Sequence, residues 1–406
     1  MTAAATNGMP RDAKLILTAA FVRATSVGMV GVLLGIYLAK LRLDTVQIGR
    51  VVALGLAGMA AGAGFATFAG GRVSRRTCLL MLAALSLCFG ILAALVSSPA
   101  VLSFAAFFGM LNGMGRDRSA ALVLEQAALP GLVGEEKRTM TFAWYNVLQD
   151  GGGALGSALA GLPSILQRWG MSVLPSFRVT VAASAILAGS CAVFYALLSH
   201  RVEDAKAGVP LYVSPASRRV VAKLCALSAM DSLGGGFLTT ALLSYWFYQR
   251  FGVSEATLAI LFVFSRGANA LSHFGAAWLA GRIGLLNTMV FTHIPSSLLL
   301  MTVPFAPSFP VAVILFVIRE GLVEMDVPTR QSYTLAVVRP EERTFASGMV
   351  TLVRVSAWAS SPAIAGLMMM KTMSLPLYVG SGIKVVYDVL LYRAFRHLKP
   401  PEERGE

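Results

Sequence analysis

Glu135-Glu136-Lys137-Arg138-Thr139 opens one long apolar stretch, and Pro340-Glu341-Glu342-Arg343-Thr344 opens another, 205 residues later. At the same offset Gln126 meets Gln331, and Ala160-Gly161-Leu162 meets Ala365-Gly366-Leu367. Ala69-Gly70-Gly71-Arg72-Val73 returns at an offset of 210 as Leu279-Ala280-Gly281-Arg282-Ile283. Charged turns that recur at such a spacing, each followed by an apolar run, describe two related halves in parallel repeat. The halves are expected at 1–199 and 219–406, joined by a charged linker at 200–218.

The runs between these turns have the length of membrane spans, which need about 20 apolar residues each. Reading outward, they fall near 13–39, 46–69, 77–97, 100–128, 139–163 and 175–199. Six more follow near 219–247, 255–280, 285–305, 309–335, 341–366 and 373–395. The sequence therefore predicts an all-α membrane protein of twelve transmembrane helices in two pseudo-symmetric six-helix bundles. Composition agrees: 56% of the 406 residues are hydrophobic and 13% charged, with a mean hydropathy of +0.70. A soluble domain carries about 25% charged residues. Little chain remains for a soluble catalytic domain.

The net charge of +14 does not point to nucleic acid, because the cations sit in short loops between apolar runs. Boundaries on the side of the tails hold roughly twenty Lys and Arg and the opposite loops roughly six, which by the positive-inside rule places both termini in the cytoplasm. The chain is thus expected in the cytoplasmic membrane as a multi-pass protein. Cys78, Cys88, Cys191 and Cys225 lie inside apolar runs without CxxC spacing, as small buried hydrophobes do. No phosphate-binding loop, HExxH helix or GxSxG elbow occurs. Neither an enzyme nor a metal or other cofactor is expected.

The chain resembles the major facilitator superfamily over essentially its whole length, in its bacterial type. The family's loop after span two reads roughly G-x-x-x-D-R-x-G-R-R. Here it is Thr67-Phe68-Ala69-Gly70-Gly71-Arg72-Val73-Ser74-Arg75-Arg76, which keeps Arg72, Arg75 and Arg76 and has Gly71 for the acid. The second copy keeps Arg282 and Gly284. The resemblance implies a cytoplasmic charge latch whose acids come from elsewhere, with Asp117, Glu125 and Asp326 as candidates. Asp150-Gly151-Gly152-Gly153-Ala154-Leu155-Gly156 is similar to the family's span-five glycine motif, associated with exporters, without its usual proline.

Ionisable residues inside the spans carry the functional expectation, since each costs about 2.5–3.5 kcal/mol at mid-helix. Span ten holds Arg319, Glu320, Glu324, Asp326 and Arg330. On one continuous helix Arg319, Asp326 and Arg330 share a face, and Glu320 and Glu324 a neighbouring one. Span four holds Arg116, Asp117, Arg118 and Glu125. These clusters, with Arg72, Arg75, Arg76 and Arg282, are the expected gate, with direct substrate contact the other reading.

Arg23, Asp150, Asp231, Arg266, Arg319, Glu320 and Arg354 lie nearer mid-membrane. In the resembling family the spans that bear them line or flank the central cavity, and none falls on spans three, six, nine or twelve. Arg23, Asp231, Arg266, Arg319, Glu320 and Arg354 are the expected substrate contacts. Asp150, Asp231 and Glu320 are the proton-coupling candidates, since buried carboxylates titrate toward neutrality unless an arginine pairs them. Asp231 precedes Ser232-Leu233-Gly234-Gly235-Gly236, where a local bend is expected. Lone His273 and His293 read as packing residues.

Four arginines against three acids favour a small organic anion as substrate. The expected function is secondary active transport by alternating access, proton-coupled and toward export, by a monomer whose partners are substrate, protons and lipid. Multidrug-type efflux of amphipathic compounds and proton-coupled uptake are the alternatives, with a channel or lipid scramblase as the different class.

Overall fold

The computed structural model describes residues 9–69, 73–117, 119–133, 135–202, 214–327, 329–330, 333 and 342–397. Eight helices come first: α1 Arg11–Lys40, α2 Thr45–Ala69, α3 Arg75–Leu95, α4 Pro99–Gly109, α5 Ala120–Leu132, α6 Glu135–Leu159, α7 Leu162–Arg168 and α8 Val173–Ala196. After the polar linker come α9 Pro215–Gly236, α10 Thr240–Phe251, α11 Glu255–Ile283, α12 Leu285–Thr302, α13 Phe309–Val323, α14 Arg343–Lys371 and α15 Leu375–Phe395. Among the described residues there is no strand. In a bilayer the backbone must satisfy its own hydrogen bonds, and helices do so locally.

Local sequence sets the helix starts. Ser74 and Ser254 accept from the amides of Thr77 and Thr257, at 3.1 and 3.2 Å, satisfying donors that a first turn leaves open. Pro99 sits in the first turn of α4, where its missing N–H costs nothing. Eight described segments are long and apolar enough to cross a membrane by length and composition. The expected fourth, fifth, eighth and tenth spans fall outside that set for local reasons. The fourth is broken into α4 and α5, and the tenth ends its regular helix at Val323. Helices α6 and α11 are long enough but more polar, carrying Gln149 and Asp150, and Arg266 and Asn269.

Packing joins the N-terminal helices α1–α8 to the C-terminal helices α9–α15 toward the end remote from the chain termini, and further in through a small apolar cluster of Leu56, Met59, Val355 and Trp358. Helix α2 packs on α14, α6 on α11 and α1 on α10. A Cβ on Gly49 would overlap the carbonyl oxygen of Pro362, and one on Gly366 that of Thr45, so these helices touch backbone to backbone. Around this seam one apolar core draws on both groups, including Tyr37, Leu38, Ala241, Phe247, Phe316 and Leu377. Lys40 lies over the Tyr248 ring at 5.0 Å and 3.9 Å from Glu255 at its rim.

Toward the termini the core divides. Ile16, Cys78, Leu129 and Tyr195 belong to a cluster drawn from the N-terminal helices alone. Leu224, Met289, Val350 and Tyr387 form one from the C-terminal helices alone. Among the described residues the two sets of helices share a core at the distal end and have separate cores toward the termini, which leaves the terminal end parted there.

Because the distal seam has no room for a side chain, Gly49→Leu or Gly366→Leu should wedge it open, at a cost of about 1–3 kcal/mol for overpacking. A cysteine placed at Leu38, with the native cysteines replaced, should then be alkylated about tenfold faster or more. An unchanged rate would show that the seam is not what seals this end.

Candidate functional site

Two helix breaks meet at the centre. Helix α4 stops at Gly109, Met110 takes a left-handed φ of 51° and Gly115 one of 68°. The loop is braced by Asn112, which donates to the Arg116 carbonyl at 2.6 Å and accepts from the Met114 amide at 2.9 Å. Opposite, α9 ends at Gly236 and α10 begins at Thr240. The Ala241 amide donates to the Gly113 carbonyl at 2.9 Å, and the Thr240 hydroxyl to the Met114 carbonyl at 2.6 Å. The continuous helices expected across 100–128 and 219–247 are therefore both interrupted. Gly234, Gly235 and Gly236 stay helical, because α14 and α15 press on them through Trp358, Ser361 and Lys384. The bend expected at the glycines falls just after them.

Beside this junction lies a cavity of about 130 Å³. Its walls hold six cations (Arg116, Arg266, Arg319, Arg330, Arg354, Lys384) and four carboxylates (Asp231, Glu320, Glu324, Asp326). They form two groups. In the first, Arg116 pairs with Glu324 at 2.8 Å across the two sets of helices, Arg319 pairs with its neighbour Glu320, and Asn269 donates to Glu320 at 2.9 Å. Arg266 donates to the carbonyl of Gly115. Arg116 Nη2, Arg319 Nε and Asn269 Oδ1 are buried without a hydrogen-bond partner among the described residues.

In the second group Asp231 is the hub. Lys384 reaches it at 2.7 Å, and Arg330 and Arg354 each at 3.1 Å. Arg330 also holds Asp326, at 2.5 Å. Arg354 Nη1 is close to Asp231 but not aligned for a hydrogen bond, and its guanidinium lies 4.9 Å from the Trp358 ring centre.

Helix phase put Arg319 on one face with Asp326 and Arg330. The structure separates them, since regular helix ends at Val323 and a turn at Glu324 and Met325 follows. Arg319 joins the first group and Arg330 the second.

Arg23 stands apart, in a network closed within the N-terminal helices. Its guanidinium forks onto Glu125 at 2.6 and 2.7 Å and holds Asp117 at 2.6 Å. Tyr145 and Tyr195 each donate to Glu125 at 2.7 Å, and Glu125 is 0% exposed. Arg23 lines a second, mostly apolar space of about 70 Å³ rather than the central cavity.

The remaining expected residues are scattered. Arg75 donates to the Val202 carbonyl at 2.9 Å and Arg76 to that of Ala196, tying α3 to the end of α8. Such cations suit the negative end of a helix. Arg282 stacks on Trp278 at 4.2 Å. Asp150 is half-buried on α6, in the field of Arg116 and Arg266. Arg72 and Arg118 lie outside the described residues.

Two residues that the sequence reading passed over, and one it took for a packing residue, join the Asp231 group. Lys384 and Asp388 come from α15 and His293 from α12, so charge is not confined to the cavity-lining spans. A base and an acid four residues apart in an apolar helix were the available signal.

Comparison with known proteins gives one consistent result. The profile of the Major Facilitator Superfamily matches residues 16–362. An uncharacterized membrane protein of Saccharomyces cerevisiae is 23% identical over 93% of this chain and 92% of its own. The nucleoside transporter NupG superposes with a TM-score of 0.69 at 15% identity, covering 95% of this chain and 98% of that one. A D-xylose–proton symporter superposes with a TM-score of 0.71 at 12% identity, covering 98% and 99%. These likenesses are of fold.

The Arg23 network yields a stability prediction. Glu125→Gln should lower the melting temperature strongly, because breaking a buried ion pair costs about 3–5 kcal/mol. Tyr195→Phe, which removes one neutral donor, should cost only about 1 kcal/mol. Equal melting temperatures for the two variants would contradict this ranking.

Proposed function

This chain belongs to the Major Facilitator Superfamily, and from that premise we propose that it carries a small organic anion across the membrane together with protons. That it is a secondary transporter, not an enzyme, follows from the family. Six cations against four carboxylates around one cavity is the observation that carries the substrate class. The open donors of Arg116 and Arg319 suit a carboxylate or phosphate oxygen, for which a guanidinium fork is matched in shape. Asn269 Oδ1 would accept from a hydroxyl or amide on the same molecule. A neutral amphiphile would leave these groups unpaired, at a cost.

In this reading Arg116, Arg266, Arg319, Arg330, Arg354 and Asn269 contact the substrate. The pair Arg116–Glu324, which crosses between the two sets of helices, is the gate that an arriving anion competes to open. Arg23, Asp117 and Glu125 keep the N-terminal helices rigid while they rock against α9–α15 about the distal seam. The twelve-span topology with cytoplasmic termini makes the parted end the cytoplasmic one, in a monomer of the cytoplasmic membrane.

The sequence favoured export through its glycine run. Gly152 and Gly156 are seated against the Phe21 and Thr25 carbonyls of α1, the use expected of a packing seam, so the run carries no vote on direction. A bound anion offsets the surplus positive charge of the cavity and so eases the entry of a proton, which favours their moving together; one protein of the same fold is a D-xylose–proton symporter.

Thermal shift of the purified protein against carboxylates, phosphates, organic cations and neutral amphiphiles tests the substrate class. Anions should raise the melting temperature, and Arg319→Ala or Arg354→Ala should remove the effect by weakening binding by about 2–5 kcal/mol. Stabilisation by organic cations alone would overturn the proposal.

A further inference from the structure

His293, buried in α12, has an acceptor on one side of its ring and a cation on the other. Nδ1 lies 2.8 and 3.0 Å from the two oxygens of Asp388. A carboxylate only accepts, so Nδ1 carries its hydrogen and donates. Nε2 lies 3.3 Å from Lys384 Nζ. An ammonium only donates, so Nε2 accepts and the imidazole is neutral. The same Lys384 nitrogen donates to Asp231 Oδ1 at 2.7 Å, and that oxygen is 4.0 Å from Nε2.

We propose that His293 is a proton-binding site and that its protonation exchanges the partner of Asp231. With a hydrogen on Nε2, two cationic donors face each other with no lone pair between them. Lys384 must withdraw. The nearest acceptor for the new N–H is Asp231 Oδ1, already within a small ring movement. Asp231 passes from the lysine to the imidazolium, and the ammonium is released toward the cavity it lines. The proton is handed over by a hydronium ion in the cavity, so one O–H bond breaks as the N–H bond forms and a water is left behind. One proton taken up at the wall thus becomes one mobile positive charge in the cavity.

The groups facing His293 support this exchange. From α15 come Lys384, Asp388 and Tyr387, whose ring stands edge-on at 6.1 Å. From α9 comes Asp231, with Arg330 and Arg354 on its other oxygen. Helices α11 and α13 also pack on α12. The charged side chains there are engaged elsewhere: Arg266 with Gly115, Arg319 and Glu320 with each other, Arg282 with Trp278, and Glu255 with Lys40. Asp388 thus holds the Nδ1 side of the ring and Lys384 the Nε2 side, so only the Nε2 contact has to change when the proton arrives.

The consequence for transport rests on the anion reading above. A released ammonium favours an anion, and by reciprocity a bound anion favours the protonated ring. Proton and anion then load together.

The test needs no anion. Protein labelled with 15N-histidine is reconstituted in lipid nanodiscs, and its ring nitrogens are followed by NMR from about pH 8 to pH 5, the range in which histidine titrates. His293→Gln assigns the signal among His200, His273, His293 and His397. His293 should pass from a neutral Nδ1–H tautomer to imidazolium within this range. Lys384→Met, which removes the facing cation, should move the midpoint up by about one pH unit, and Asp388→Asn should move it down by a similar amount. His273→Gln should leave it in place. A ring that keeps one charge state throughout, or a midpoint that neither substitution moves, overturns the proposal. Failure of anions to stabilise the protein would instead strike the substrate class and leave this titration standing.

Discussion

An ion removed from water keeps its charge only if a counter-ion stands within reach of its own side chain, and the interior of this molecule is arranged around that need. Three networks meet it differently. Arg23 is locked by a bidentate carboxylate and two phenols, and it has no reason to move. Asp231 is shared among Lys384, Arg330 and Arg354, so losing one partner leaves two. Arg116 and Glu324 form a side-chain ion pair that crosses between the two sets of helices. The first arrangement is rigid, the second exchangeable and the third breakable. A transporter needs all three, and here the first lies within the N-terminal helices while the other two share the wall of one cavity.

The apolar groups follow the same division. Where both sets of helices share a core, glycines bring backbones together and leave nothing to slide. Where each set has its own core, the two are free to part without either losing buried area. The helix breaks after Gly109 and after Gly236 sit between these regions, and the first turn of α10, just past the second, donates to the Gly113 and Met114 carbonyls of the first.

Much of this was legible in the sequence. Apolar runs predicted the helices because in lipid length and hydropathy leave little choice. The cost of burying charge singled out Arg116, Asp231, Arg266, Arg319, Glu320 and Arg354, which the structure gathers around one cavity. Pairing was not legible. The partner of Arg116 is 208 residues away, and helical phase says which residues share a face but not what that face meets. Phase also failed within span ten, because it assumed a regular helix beyond Val323. Arg23 was read with the cavity because its depth is right; only the tertiary fold shows its guanidinium turned into its own set of helices. His293 was read as a packing residue because a single histidine in a helix shows nothing of the lysine and aspartate that approach it from α15.

The unequal division of the apolar cores has a thermodynamic consequence. Prising the distal end apart would expose hydrocarbon that both sets of helices now bury in one core. That exposure carries a large positive heat capacity. Hydrophobic burial weakens on cooling, so the balance between the two shapes of this protein tilts with temperature, and cold shifts it toward the distally open form.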